Sequence, residues 1–182
     1  MKRILTVLGT RPEAIKLAPV VLELAKHPTK VQSLVCVTAQ HREMLDQILE
    51  WFQITPDFDL NLMQHNQDLA KFTSRALTSI NDVLAQVKPD VVLVQGDTTT
   101  AMVAALAAFY QHIPVGHVEA GLRTGNRYNP FPEEINRRVV AVLGTFHFAP
   151  TKKAADALKA EQIPEEYIFL TGNTVVDSLL WT

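Results

Sequence analysis

The stretch Val91-Val92-Leu93-Val94-Gln95-Gly96-Asp97-Thr98-Thr99-Thr100 decides the fold. Residues 91–95 carry no charge and do not alternate apolar with polar, so they predict a strand covered on both faces. Gly96 ends the run, and Asp and Thr are residues that open helices. An apolar helical pattern then occupies Thr99–Tyr110. Buried strand, short polar turn and helix make one βα unit, the building block of a parallel sheet.

The same unit recurs on either side. Runs at Ile4–Leu8, Leu34–Thr38, Ile113–Val118, Phe146–Ala149 and Tyr167–Thr171 are β-rich and largely apolar. Helical spacing joins Ala14, Leu17, Ala18, Val21 and Ala25, and again Leu45, Ile48, Leu49 and Phe52. It extends through Leu69, Phe72, Ala76, Ile80, Val83, Leu84 and Val87, and returns in Glu133–Leu143 and Lys152–Glu161. Pro12 suits a first helical turn, and Pro89 stops a helix before a strand. The alternation predicts an α/β fold: a doubly wound, Rossmann-like parallel sheet of about six or seven strands with helices on both faces. No repeat or internal linker interrupts it, so residues 1–182 read as a single domain.

Composition removes several classes of function. Hydrophobic residues make 47% of the chain and charged ones 20%, a globular balance. The formal net charge of −2 gives no general pull toward nucleic acid or an anionic membrane, so neither is expected as a partner. Thr98–Val118 is uncharged and long enough to span a bilayer, but Gln111, His112 and Pro114 divide it into a helix and a strand. The basic, then apolar N-terminus meets Arg11 and Glu13 too soon for a signal peptide. The single cysteine, Cys36, sits in an apolar run and suits a reducing, cytoplasmic setting. No two of the seven glycines are separated by one residue, which excludes the G-x-G-x-x-G dinucleotide fingerprint, and no G-K-[ST] is present. The six histidines show no metal-ligand spacing, so no metal is expected, and with both nucleotide fingerprints missing no other cofactor is expected. His117 and His147 lie in apolar strands and read as buried, hydrogen-bonded residues.

In doubly wound sheets, chemistry gathers where strands end, at a topological switch point. Here the polar residues follow the predicted strands: Gly9 to Lys16, Ala39 to Glu43, Gly96 to Thr100, Glu119 to Gly125, and Gly172 to Thr174. Arg11 and Lys16 flank the start of the first helix, where N–H groups and cations suit a diphosphate; ordinary surface positions are the alternative. Asp97 suits either helix capping or an ionised functional carboxylate. Glu119, at a strand end beside a glycine-bearing turn, is a general-base candidate. Glu133 and Glu134 open a helix, where negative charge complements the dipole, and Arg137 stands four residues after Glu133, within reach of an ion pair. These residues point to nucleotide or sugar-phosphate chemistry without naming a reaction.

Six strings taken together resemble the non-hydrolysing UDP-N-acetylglucosamine 2-epimerases of bacteria: Gly9-Thr10-Arg11-Pro12-Glu13-Ala14-Ile15-Lys16, Thr38-Ala39-Gln40-His41-Arg42, Gly96-Asp97-Thr98-Thr99-Thr100, Gly116-His117-Val118-Glu119-Ala120-Gly121-Leu122-Arg123-Thr124, Pro132-Glu133-Glu134-Ile135-Asn136-Arg137 and Thr171-Gly172-Asn173-Thr174. They occur in the family's order along the whole chain. The resemblance implies the N-terminal half of a two-domain fold like that of the B-type glycosyltransferases, with the C-terminal UDP-binding domain absent from this chain. It implies a homodimer for the full-length protein and a UDP-sugar substrate, with UDP-N-acetylglucosamine and UDP-N-acetylmannosamine interconverted.

The chemistry of that reaction fits the missing nicotinamide fingerprint. No carbonyl sits beside sugar C2, so its proton is removed either after oxidation of a neighbouring hydroxyl or with expulsion of UDP from C1. The family follows the second route, by elimination to a 2-acetamidoglucal and re-addition. By motif match, Asp97, Glu119 and Glu133 form the acid/base set, and Arg11, Lys16 and Arg137 contact substrate or diphosphate. Gln40 and Glu43 match a regulatory UDP-sugar site, although some members carry Gln where this chain has Glu43 and an arginine within the region of Gln64-His65-Asn66-Gln67. The rival readings are a hydrolysing epimerase, a glycosyltransferase N-terminal domain, and a binding or dimerisation module without turnover. The 182 residues alone are expected to fold but to turn over little substrate.

Overall fold

The computed structural model describes residues 1–39, 42–62 and 68–181, Arg42 and Glu43 by their backbone alone. Among the described residues, seven strands form one sheet: β1 (Lys2–Leu8), β2 (Val31–Val37), β3 (Phe58–Asp59), β4 (Val91–Gln95), β5 (Val115–Val118), β6 (Phe146–Ala149) and β7 (Ile168–Leu170). The helices are α1 (Arg11–Ala25), α2 (Arg42–Trp51), α3 (Leu69–Val87), α4 (Thr99–Tyr110), α5 (Glu133–Leu143), α6 (Lys152–Ala160) and α7 (Val175–Trp181). The strand order is β3-β2-β1-β4-β5-β6-β7, and every pairing is parallel. The direction of winding reverses between β1 and β4, which makes that junction the switch point.

Side chains alternate across the sheet into two cores. Leu5, Val7, Cys36, Val92 and Val94 pack toward Phe72, Ile80, Leu84 and the alanines of α4. Leu8, Val35 and Val37 pack on the other face against Leu17, Val21, Leu45 and Leu49. In α4, Ala101, Ala104, Ala105, Ala107 and Ala108 are all fully buried, because α3 and α5 flank the helix on the sheet. Among the described residues, no helix is long and apolar enough to cross a membrane.

Besides a 3-10 turn at Glu165–Tyr167, which moves the start of β7 from Tyr167 to Ile168, two elements among the described residues lie outside the sequence expectation. β3 has two residues, too few to show a pattern. α7 docks on α1 through a backbone defect. Pro19 inside α1 has no N–H, which leaves the Ile15 carbonyl without its helical donor. The Ser178 hydroxyl of α7 donates to that carbonyl. Strand limits also shift: β5 starts at Val115, after Pro114, rather than at Ile113.

Candidate active site

The loops after β1, β4 and β5 meet at the switch point. Gly9 is required there, because a Cβ at this position would lie 2.2 Å from Thr38 Oγ1 and 2.4 Å from Thr100 Oγ1. Glu13, in the first turn of α1, ties two of the loops together. Its buried carboxylate accepts from Gly9 N–H (3.0 Å), Thr10 N–H (2.7 Å), the Thr10 hydroxyl (2.8 Å) and the Thr98 hydroxyl (2.7 Å). Burial pushes the Glu13 carboxyl above its ordinary value, and these four donors only partly offset it. The Gly9 and Thr10 N–H groups are therefore committed to Glu13, and the chain supplies its own carboxyl group at the start of α1.

Glu119 follows β5 in a left-handed backbone conformation, φ 63°. Its carboxylate accepts from Lys16 Nζ at 2.7 and 2.6 Å, from Asn173 Nδ2 at 2.9 Å and from Gln95 Nε2. Side-chain exposure is 11% for Glu119 and 24% for Lys16, so the pair is shielded yet reachable. Lys16 thus binds the proposed base directly. Gln95 and Asn173 had no assigned role in the sequence; the signals available were a polar residue ending an apolar run and an Asn after the last strand.

Asp97 belongs to the loop after β4. Helix capping of α4 falls to Thr98, whose hydroxyl accepts from Ala101 N–H at 3.0 Å. The Asp97 side chain is left for the Arg137 guanidinium, which donates to it through Nη2. Asn136 Nδ2 donates to the Asp97 carbonyl at 2.9 Å. Arg137 also reaches Glu134 at 3.4 Å rather than Glu133. Glu134 is fully buried and accepts from the N–H groups of Thr124 (3.0 Å) and Gly125 (3.2 Å). Burial raises its carboxyl, but those N–H groups and Arg137 outweigh burial and hold it below the ordinary value. Glu133, half-buried, is the first residue of α5, and Arg11, exposed, is the first of α1.

Asp97, Glu119, Lys16 and Arg137 therefore gather in two ion pairs at the carboxyl edge, with Arg11 and Glu133 opening helices at that edge. Gln40 lies outside the described residues, as do Gln64 to Gln67, and only the backbone of Glu43 is described, within α2. Among the described residues, no group of three or more His, Cys, Asp or Glu could hold a metal ion. His117 is fully buried and makes the hydrogen bond expected of it, to the Gly96 carbonyl at 2.7 Å. Burial pushes its imidazole down to about 3.

The family model described as UDP-N-acetylglucosamine 2-epimerase matches residues 22–182. The chain belongs to this family. It is 60% identical over 182 residues to a putative UDP-N-acetylglucosamine 2-epimerase of Thermotoga maritima, covering 100% of this chain and 48% of the relative. It is 59% identical to the Neisseria meningitidis UDP-GlcNAc 2-epimerase whose crystal structure has UDP-GlcNAc bound, with a TM-score of 0.95 over 98% of this chain and 48% of that one. A lipopolysaccharide outer core galactosyltransferase shares the fold at 12% identity and a TM-score of 0.68, over 93% of this chain and 45% of its own. The chain spans about half the length of the curated relatives it matches.

Proposed function

We propose that this chain is the acid/base-bearing N-terminal half of a non-hydrolysing UDP-N-acetylglucosamine 2-epimerase. The observation that carries the reading is the pairing of Asp97 with Arg137 and of Glu119 with Lys16 at one sheet edge, in a chain whose Neisseria relative binds UDP-GlcNAc. One carboxylate removes the C2 proton, the C2–H electron pair becomes the C1–C2 double bond, and the C1–O bond breaks with its pair leaving on UDP. Re-addition of UDP, with a proton delivered to the opposite face of C2, gives the other epimer. Two carboxylates on different loops suit an acid and a base on opposite faces of a sugar ring. Glu133 completes the acid/base set, and Arg11, Lys16 and Arg137 offset the charge of the departing diphosphate. The reading includes a cytoplasmic location and a homodimer; sedimentation of the active protein checks the latter.

The test is deuterium incorporation at C2 of UDP-GlcNAc in D2O, followed by NMR. It compares the 182 residues alone with the same residues joined to the C-terminal half of the Neisseria relative. Exchange and epimer formation are expected from the joined protein, with at least about a hundredfold less from the chain alone, because misplacing reacting groups by about 1 Å costs that much. Robust exchange by the chain alone would remove the dependence on a second half. No exchange by the joined protein would overturn the epimerase reading, and release of free N-acetylmannosamine would assign the hydrolysing branch.

A further inference from the structure

The Gly96-Asp97 peptide is gripped from two sides. Gly96 has φ 71°, a conformation that lets the chain turn sharply out of β4. Its N–H still bonds the Val118 carbonyl at 2.9 Å, the last ladder bond between β4 and β5. Its carbonyl leaves the ladder and meets the His117 ring at 2.7 Å. The next carbonyl, of Asp97, meets Asn136 Nδ2 at 2.9 Å. Two successive carbonyls are thus each held by a buried side chain, one from β5 and one from α5. His117 is 0% exposed and Asn136 is 5% exposed.

Because a carbonyl only accepts, His117 Nε2 carries the proton. Its Nδ1 is buried and has no hydrogen-bond partner among the described residues. An apolar residue would fill this place in β5 without an unpaired nitrogen, so core packing does not account for the imidazole. What the ring does here is hold the Gly96 carbonyl.

We propose that His117 and Asn136 are positioning residues that fix the turn at Gly96-Asp97 and so aim the Asp97 carboxylate, with Arg137 holding its other side. The kinetic consequence rests on the epimerase reading; the clamp itself does not. Since burial keeps His117 neutral down to about pH 3, the clamp does not titrate near neutrality.

The test uses His117→Leu, which fills the space without a donor, and His117→Gln, whose side-chain amide restores one. Asn136→Asp is nearly isosteric and turns an acceptor toward the Asp97 carbonyl. In the 182-residue chain, the amide resonances of Asp97 and Thr98 are expected to move or broaden in His117→Leu and Asn136→Asp and to keep their positions in His117→Gln. In the joined enzyme, kcat for C2 exchange is expected to fall by about 10- to 100-fold in the first two, with KM changed less than about threefold. His117→Gln is expected to recover most of that loss, and the shape of the pH profile to stay the same. A merely structural role would lower Tm while leaving kcat per folded molecule unchanged. If His117→Leu fails to fold, Asn136→Asp decides. Native amide positions together with native kcat in the folded variants overturn the proposal. Absence of exchange by the unmutated joined enzyme instead overturns the epimerase reading, and the amide resonances still judge the clamp.

Discussion

Two layers of carboxylates face the same edge of the sheet, and they are built differently. Glu13 and Glu134 form the inner layer. Both are fully buried, both stand in the first turn of a helix, and both accept from two consecutive N–H groups of the preceding loop. Asp97 and Glu119 form the outer layer. Both are partly exposed, and among the described residues each is paired with a single cation from another element. The inner carboxylates close loops. The outer ones are held in place but remain accessible to a ligand. Residue type and position after a strand do not separate the two layers; the source of their donors does.

Activity gives the largest test of this division. In the joined enzyme, Asp97→Asn and Glu119→Gln are expected to lower kcat by about 10²–10⁴-fold, the usual effect of losing a general acid or base. Their Tm should move by no more than a few degrees. Near-normal C2 exchange in both variants would take the outer layer out of catalysis.

Stability gives the next. Glu13→Ala strands two backbone N–H groups and two hydroxyls. An unsatisfied buried donor costs about 1–3 kcal/mol, so a loss of roughly 3 kcal/mol is expected. For a domain of this size that lowers Tm by about 6–12 °C. Exchange per folded molecule should fall by less than about tenfold. A Glu13→Ala protein with native Tm but no exchange would erase the distinction between the layers.

The fold was legible because parallel strands covered on both faces leave continuous apolar runs, and six of the seven strands do so. β3 escaped because two residues carry no period. The edge was legible too, since polar residues after apolar strands collect at one side of a doubly wound sheet. Pairing was not. Lys16 lies 103 residues from Glu119 and Asn173 lies 54, so only the folded chain shows that they share its carboxylate. Capping was open among Asp97 and the threonines after it, and the backbone at Thr98 decided it. Glu133 and Glu134 are adjacent, so helix rotation determines which one is buried, and Arg137 follows the buried one.

The smallest expected effect separates the two inner carboxylates from each other. Among the described residues, the four hydrogen bonds to Glu13 come from neutral groups, and burial raises its carboxyl above the ordinary value of 4.5. Glu134 has the same kind of loop N–H donors but also Arg137, at 3.4 Å, and Arg138, at 3.3 Å; its carboxyl sits below 4.5. A raised value means the folded chain holds the Glu13 proton more tightly than the unfolded chain does. Its contribution to stability is full below 4.5 and is lost as pH rises through the folded value. For Glu134 the sign is opposite: the contribution is full above 4.5 and is lost as pH falls through the folded value. Gln does not titrate, so comparing each Glu→Gln variant with the unmutated chain isolates one group. Over a pH range on either side of 4.5, the Tm advantage of the unmutated chain over Glu134→Gln should shrink on acidification, and that over Glu13→Gln should shrink as the pH rises. Calorimetry across that range gives both slopes. Slopes of the same sign would mean that the loop N–H groups of Thr124 and Gly125, together with Arg137, do not outweigh burial at Glu134.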